Sequence, residues 1–231
     1  MSESDARPAP ADDLLAATPA TAYFWGRVAG DGDLSTECVT VRAGDERAAD
    51  ALAAVAGADS RNHDVQARES AHDASVVRYE DEHELQVFGA LARRAGAALG
   101  LPVDGQPGGY RLDAFADHRP QLVRGLLESC GTVCFRESAG EVGVSFVHDD
   151  ARLLETVRTQ LRAAPVDAPT DELSETSSGG HWFGLADGAD AAAFAEWVYA
   201  DSDATGLYAA DRRRKLRRSV ERATGREVGT L

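Results

Sequence analysis

The sequence predicts an α+β protein made of two similar repeats, each with its elements in the order αββαββα. Two observations predict this fold. A segment around Gly26 has a second copy around Gly125, and each copy is followed by the same succession of strand and helix patterns. Residues 100–109, which are rich in glycine and proline, lie between the copies and are typical of a linker.

The first helix of repeat 1 has a recognisable start and end in the sequence. Thr18 followed by Pro19 is typical of an N-cap and a first helical position. Gly30 and Gly32 are expected to end the helix, because glycine adopts the left-handed conformation found at many helix ends. The predicted helix therefore starts at Pro19 and ends at Gly30 to Gly32.

Small residues lie four positions apart in this helix and in its second copy. They are Gly26 and Gly30 in the first copy, and Gly125 and Ser129 in the second. Residues at this spacing share one face of a helix, and small residues on both faces let two backbones come close together. We therefore expect the two helices to pack along their length, with their C-terminal ends side by side.

The remaining elements are predicted from apolar residues that alternate in strands and recur every three or four positions in helices. In repeat 1 they are a strand over 38–42, a helix over about 46–55, strands over 64–68 and 75–79, and a helix through Leu85, Phe88 and Leu91. In repeat 2 they are a strand with Val142, Val144 and Phe146, a helix with Leu153, Leu154, Val157 and Leu161, strands over 172–176 and 181–185, and a helix through Phe194, Trp197 and Val198.

These elements divide the chain into five segments. They are a tail at 1–17, repeat 1 at 18–99, the linker at 100–109, repeat 2 at 110–220 and a C-terminal tail at 221–231. Because the two repeats are expected to pack on each other through their first helices, we expect a monomer that is an internal pseudo-dimer.

The composition is strongly acidic and contains almost no lysine. There are 39 acidic and 24 basic residues, which give a formal net charge of -15, and Lys215 is the sole lysine. Such a surface is expected of a protein adapted to a very salty cytoplasm, where carboxylates keep it hydrated. At about 1 M salt the Debye length is ~3 Å, so the net charge does not exclude a nucleic-acid partner.

The three cysteines, Cys38, Cys130 and Cys134, occur in a sequence whose polar N-terminus has no signal-peptide pattern. This combination indicates a reducing cytoplasm. The cysteines have no histidine at ligand spacing, so a zinc site is not expected. Since no stretch approaches the ~18 apolar residues of a membrane span, no membrane partner is expected.

The paired helix ends are the strongest candidate for a metal-binding site. The C-terminal ends of two adjacent helices concentrate negative potential. A carboxylate at each end then makes a place where a divalent cation can bind against a phosphate. Asp31 occupies this position in the first helix, and Cys130 occupies it in the second.

Three segments resemble a known family. YFWGRVAGDGDL at 23–34 resembles the LAGLIDADG motif, and LVRGLLESCGTVCF at 122–135 resembles the degenerate copies of that motif. WVYADSDATGLYAADRRRKL at 197–216 is similar to the closing helix, tyrosine-containing turn and basic pair of the LAGLIDADG homing endonucleases. The resemblance, which extends over most of residues 18–220, implies two sheets that form a saddle over double-stranded DNA. It also implies Mg²⁺ bound by the last acidic residue of each motif for DNA cleavage.

The resemblance assigns Asp31 as a metal-binding and catalytic residue and places Lys215 at the family's late basic, catalytic position. The second motif is degenerate, because Cys130 replaces its metal-binding acid. Ala29 replaces the earlier acid of the first motif, whereas Glu128 keeps that place in the second. Mg²⁺ prefers oxygen ligands, and two-metal hydrolysis needs them on both metals. We therefore expect impaired or lost cleavage, with Mg²⁺ as a cofactor only if activity is retained.

Arginines supply the candidate contacts to DNA. Residues 211–222 hold seven basic and two acidic residues, which suits phosphate binding but also a solvated terminal helix. Arginines on predicted strands are candidates to contact guanine edges in a major groove, although the sequence does not determine strand register. The candidates are Arg42, Arg68, Arg78, Arg136, Arg212, Arg213 and Arg214.

The sequence thus predicts a double-stranded DNA-binding protein of the homing-endonuclease type whose cleavage is impaired or lost. Two alternatives stay open. One is an active Mg²⁺-dependent site-specific endonuclease or nickase that uses Asp31. The other is a protein-interaction scaffold whose acidic sheets no longer contact DNA.

Overall fold

The computed structural model describes the backbone of residues 6–70, 73–186 and 189–225, and their side chains outside 66–80. Repeat 1 consists of α1 Pro19–Asp31, β1 Gly32–Ser35, β2 Cys38–Ala43, α2 Glu46–Ala56, β3 Ser60–Ser70, β4 Asp73–Phe88 and α3 Leu91–Leu99. A 3-10 helix, Leu112–His118, leads into repeat 2. Repeat 2 consists of α4 Arg119–Ser129, β5 Gly131–Arg136, β6 Glu141–His148, α5 Ala151–Arg162, β7 Ser174–Glu175, β8 His181–Gly184, α6 Ala191–Val198, α7 Ser202–Thr205 and α8 Ala210–Thr224.

Each repeat forms one antiparallel sheet of four strands, and the two sheets have the same strand order. That order is β1-β2-β4-β3 in the first repeat and β5-β6-β8-β7 in the second. Both repeats begin with a helix and continue with two strands, a helix and two more strands. The predicted α+β fold with two αββαββα repeats is therefore confirmed.

The first helices of the two repeats, α1 and α4, pack with their backbones in direct contact. A Cβ atom at Gly26 would overlap the carbonyl oxygen of Leu122 and lie 3.1 Å from the Cα of Gly125. A Cβ at Gly125 would in turn overlap the carbonyl oxygen of Tyr23. Only glycine fits at these two positions, so the crossing of the helices is set by this pair.

Helix α1 begins as predicted and ends at Gly32, one of the two glycines predicted to end it, but the conformation there differs from the expected one. The Thr18 side chain accepts a hydrogen bond from the backbone of Thr21, and Pro19 is the first helical residue. Gly30 lies inside the helix, and the C-cap is Gly32, whose φ of -118° is extended rather than left-handed. The prediction of a left-handed end was wrong because the chain passes directly from the helix into β1. Gly32 is needed for space, since its Cβ would lie 2.7 Å from the Thr40 carbonyl oxygen.

The predicted helix through Leu85 and Phe88 is also wrong. Both residues belong to β4, and the helix that follows begins at Leu91. Leu85 pairs with Val41 of β2 and is buried, whereas Phe88 is 56% exposed. The spacing of three residues imitates a helix, but the buried positions in this segment alternate, as a half-buried strand requires.

The core lies between the sheets and their helices. Val39, Val41 and Ala43 on β2, and Val144 and Phe146 on β6, are buried on one face of each sheet. Helix α8 packs against β5 and β6 of the second sheet. We call the opposite face of each sheet its outward face. In the described part of the chain, no helix has the length and apolar character needed to cross a membrane.

Candidate functional site

The junction where α1 and α4 end brings together two residues that the sequence singled out. Asp31 is the last residue of α1, and Cys130 is the C-cap of α4. A Cβ at Gly30 would overlap the Ser129 hydroxyl and lie 3.1 Å from the Cys130 sulfur. The Ser129 hydroxyl donates to the Gly125 carbonyl oxygen at 2.8 Å. The two helix ends are therefore in contact, and residues 31 and 130 lie beside each other.

Asp31 presents an accessible carboxylate at this junction. Its side chain is 53% exposed, and its nearest cation is Arg42, whose guanidinium lies 4.0 Å from the carboxylate. Arg42 is shared with Asp33 at 2.8 Å and with Glu84 at 3.7 Å. Partial burial raises the pKa of Asp31, and the nearby Arg42 opposes the rise. Asp31 is thus only weakly neutralised within the protein.

Cys130 presents a partly buried thiol at the other helix end. Its sulfur donates to the Leu126 carbonyl oxygen at 3.4 Å, so it is turned back on its own helix. Burial raises the pKa of the Cys130 thiol to about 12. Because the thiolate is the form that binds metals, this residue is a neutral, poor ligand near neutral pH.

Glu128, the acidic residue one step before the end of α4, is fully buried between the two helices. The Tyr23 hydroxyl donates to its carboxylate at 2.6 Å, and the Arg27 guanidinium lies 3.5 Å away. Arg27 also donates to the Arg42 carbonyl oxygen at 2.7 Å. Burial raises the pKa of Glu128, while Arg27 opposes the rise. This carboxylate ties the repeats together and is not available to solvent.

Comparison with protein families identifies the chain. A family model with the description "Putative archaeal homing endonuclease", of the LAGLIDADG type, matches residues 1–226. The chain therefore belongs to the LAGLIDADG family. No curated protein matches the sequence.

Solved structures with a similar fold are distant from this LAGLIDADG protein. I-DmoI in complex with DNA and Mn is 14% identical, with 85% of this chain and 99% of that chain covered and a TM-score of 0.46. Full-length DUF199/WhiA from Thermatoga maritima is 10% identical, with 96% and 64% covered and a TM-score of 0.49. These similarities are too weak to bear on the activity of this chain.

The resemblance to LAGLIDADG enzymes implies bound Mg²⁺, and the residues at the junction do not fit a two-metal centre. Asp31 supplies one accessible carboxylate, Cys130 supplies a neutral thiol, and Glu128 is enclosed by Tyr23 and Arg27. Among the side chains that the structure describes, those of residues 6–65, 81–186 and 189–225, no group of three or more His, Cys, Asp or Glu is arranged to hold a metal ion. Mg²⁺ prefers several oxygen ligands, and this site offers a single carboxylate.

Lys215, which the LAGLIDADG resemblance made a catalytic candidate, lies on the exposed side of α8. It lines a groove together with Cys134 and Phe135 of β5. Of the neighbouring candidates, Arg214 is exposed and pairs with Asp211 at 3.1 Å. The structure thus places Lys215 in a basic groove along β5.

Several of the arginines proposed to contact DNA are held by acidic residues of the protein itself. Arg213 makes two hydrogen bonds to Asp203, at 2.6 and 2.8 Å, and lies over the Tyr208 ring. Arg136 lies 3.5 Å from Glu141, its cross-strand partner. Arg212 is partly buried, and it lies near enough to oppose the rise in the pKa of Cys130. Arg68 and Arg78 occupy paired positions of β3 and β4, and their side chains lie outside the described part.

The outward faces of the two sheets differ from a basic DNA-binding surface. On the first sheet, Arg42 is paired with Glu84 and Asp33, and Glu82 lies two residues before Glu84 on the same strand and face. On the second sheet, Val147 and Trp182 face each other across β6 and β8 and are 42% and 39% exposed. The described outward faces are therefore acidic on one side and partly apolar on the other.

Two residues that the sequence did not mark as important organise this site. Arg27 of α1 holds Glu128, as described above. Arg124 of α4 is fully buried and donates to the carbonyl oxygens of Val198, Leu207 and Ala200 at 2.6 to 2.8 Å. These hydrogen bonds hold the segment before α8 against α4. The signal in the sequence was a charged residue inside an otherwise apolar helix, which burial without partners would make costly.

Proposed function

We propose that this LAGLIDADG protein binds double-stranded DNA and does not cleave it by a two-metal mechanism. The observation that carries the proposal is the asymmetry of the helix junction. Asp31 is an accessible carboxylate, and Cys130 is a neutral, partly buried thiol. Two-metal hydrolysis needs oxygen ligands around both metals, so that the attacking and leaving oxygens are both stabilised. One half of such a site is missing here.

Glu128 does not replace the missing ligand. Its carboxylate accepts from Tyr23 and is paired with Arg27 inside the helix interface. Moving it to the junction would leave the Arg27 guanidinium buried without its counter-ion, and a buried unpaired charge is strongly unfavourable. The role of Glu128 is therefore to hold the two repeats together.

DNA binding is supported by the family and by the distribution of charge. The family model that matches the chain is of homing endonucleases, which act on DNA. The chain has a formal net charge of -15, yet α8 carries Arg214, Lys215, Arg218 and Arg222 on its exposed side. Concentrating basic residues in one place on an acidic protein is typical of a local phosphate-binding surface.

Selection from a random pool of duplex DNA tests the binding claim. The expected result is enrichment of a discrete site of ~15–25 bp, which is protected equally in EDTA and in Mg²⁺, because no metal is needed for binding. The Asp31→Asn variant should protect the same site. Failure to enrich any sequence would contradict the proposal of site-specific binding, and protection only in the presence of Mg²⁺ would contradict the proposed metal independence.

A second candidate function, binding to another protein, is favoured by the outward face of the first sheet. Asp33 and Glu84 neutralise Arg42 there, and Asp33 is 71% exposed. Such a face repels phosphates at low salt. Absence of binding to any duplex at low salt would favour this second function over the first.

A further inference from the structure

The groove between α8 and the edge strand β5 combines four basic side chains. It has a volume of about 540 Å³. Its lining residues are Cys134, Phe135, Asp211, Arg214, Lys215, Arg218, Ser219 and Arg222. Only one of these eight residues is acidic, whereas acidic residues outnumber basic ones in the whole chain. The groove is therefore a strongly cationic surface on an acidic protein.

The arginines of the groove form a regular row. Arg214, Arg218 and Arg222 are four positions apart, so they follow each other along one side of α8 at intervals of about 6 Å. The row is about 12 Å long, and each strand of duplex DNA carries one phosphate per ~3.4 Å of helix axis. The row is therefore long enough to contact more than one phosphate of a strand. Lys215 lies beside the row.

These basic groups form few ion pairs with the described part of the protein, and those pairs are weak. Among the residues that the structure describes, Lys215 and Arg218 form no ion pair. Arg214 and Arg222 pair with the exposed residues Asp211 and Glu137, each at 3.1 Å. Exposed pairs of this kind are weak and exchange readily with other anions. The guanidinium of Arg222 is also held over the Phe135 ring at 4.4 Å, which keeps it in the groove.

The groove opens beside the outward face of the second sheet. β5 is the edge strand of that sheet, and its exposed residues Thr132, Cys134 and Arg136 alternate with Val133, which is buried in the core. Cys134 belongs both to this outward face and to the groove. A rod-shaped anion that crosses the sheet would therefore meet α8 at the sheet edge.

We propose that this groove, at the edge of the second sheet, supplies the main contacts to the phosphate backbone of duplex DNA. The inference rests on the proposed function only in taking DNA as the partner. On the first sheet, the one basic side chain in the described outward face near the junction, Arg42, is already shared by three acidic residues. The charge needed to release counterions from DNA is available on α8.

The test is a salt series with a fluorescently labelled random-sequence duplex. The variant Lys215→Gln/Arg218→Gln removes two charges without breaking an ion pair among the described residues. Its affinity should fall roughly 10–100-fold at ~0.1 M salt, and the slope of log K against log salt should become shallower by about 2. The control is Arg93→Gln/Arg94→Gln, which removes two exposed charges from α3 together with the exposed ion pair between Arg94 and Asp13, and should change neither quantity.

The accessibility of Cys134 provides a second test, which uses the wild-type protein. Cys134 is exposed and lines the groove, whereas Cys130 is partly buried. Bound duplex should slow the reaction of Cys134 with a thiol reagent at least several-fold, as measured by peptide mass spectrometry, and should leave the slow labelling of Cys130 unchanged.

The outcomes separate this inference from the proposed function. Equal affinities and salt slopes for the α8 variant and the α3 control would overturn the groove assignment and leave DNA binding by the sheets in place. Wild-type protein that binds no duplex even at low salt would overturn the groove assignment as well. Metal-dependent cutting of bound DNA would refute the proposed loss of cleavage, while the effect of the α8 variant on affinity would still support the groove.

Discussion

The ends of α1 and α4 share a backbone arrangement and differ in chemistry. Gly26 and Gly125 make the same close contact from the two sides, so the helices are equivalent in packing. At their ends, one carries the accessible carboxylate of Asp31 and the other the partly buried thiol of Cys130. The packing of the helix pair therefore depends on its glycines. The residues at the two helix ends differ in chemistry within the same fold.

The position two residues before these helix ends shows the opposite asymmetry. The first helix has Ala29 there, and the second has Glu128 in contact with Tyr23 and Arg27 of the first. Glu128 therefore has a structural role that does not depend on metal binding. A residue that aligns with a metal-binding acid of the family can still point away from the metal site.

The largest loss of stability is expected at the close contact between Gly26 and Gly125, where the two helices are alike. Gly125→Ala places a methyl group against the backbone of α1, so it should lower the free energy of unfolding by more than about 4 kcal/mol or prevent folding. Urea unfolding measures the change. Gly109→Ala is the control, because the space around that residue is open, and it should have little effect. A stable Gly125→Ala variant would show that the helices do not touch as described.

The next largest loss of stability is expected at Glu128, whose counterpart in the first helix is Ala29. Glu128→Ala leaves Arg27 buried without its partner and should lower the free energy of unfolding by about 3 kcal/mol or more. Tyr23→Phe removes only one hydrogen bond to the same carboxylate and should cost about 1 kcal/mol. Thermal and urea unfolding of both variants give the comparison. Similar, small losses for both would mean that Glu128 is not a structural counter-ion.

Much of the fold was predictable because it depends on local patterns. The alternation of Val39 and Val41 predicted β2, and the glycines at 26 and 125 predicted that two helices meet. The end of α1 at Gly32 was predicted, but its extended conformation was not, since the direct passage of the chain into β1 depends on the register with β2. The extent of β4 was also missed, because Leu85 and Phe88 have a spacing that suits a helix as well as a strand.

The candidate site was predictable in its position and less so in its contacts. The placement of Asp31 and Cys130 at paired helix ends follows from one alignment. The partners of Arg42 and Arg136 follow from strand register, which the sequence does not determine. The partner of Arg213 depends on how residues 201–208 fold within the segment 197–216, because the sequence does not show that Asp203 points toward Arg213. The sequence suggested Arg212 and Arg213 for DNA contact, whereas the basic residues that line the exposed groove are Arg214, Lys215, Arg218 and Arg222.

A change at Cys130 should make the two helix ends more alike. Cys130→Asp puts a second carboxylate beside Asp31 at a helix C-terminus, where a negative charge is unfavourable, so it should cost about 1 kcal/mol. Mn²⁺ should then raise the melting temperature of this variant but not that of the wild type or of Cys130→Ser. The rise should disappear in Asp31→Asn/Cys130→Asp. A Mn²⁺ response in the wild type would contradict the single-carboxylate description.

The last prediction concerns the reactivity of the Cys130 thiol in the wild-type protein. Since burial raises the pKa of the Cys130 thiol to about 12, little thiolate is present at pH 8, and alkylation of Cys130 should be slow there. Its rate should rise as the pH approaches that value, or when the protein is unfolded. Cys134 is exposed and should react first. Mass spectrometry of peptides from a time course measures both rates, and equally fast labelling of Cys130 would contradict its burial.

The central claim is that one accessible carboxylate beside a neutral thiol does not support two-metal hydrolysis. The most direct measurement is incubation of the protein with its selected duplex in Mg²⁺ or Mn²⁺, with both strands followed by denaturing gel electrophoresis. We expect the duplex to be bound with both strands intact. Cutting of either strand that requires the metal and is abolished by Asp31→Asn would show instead that the single carboxylate is sufficient for cleavage.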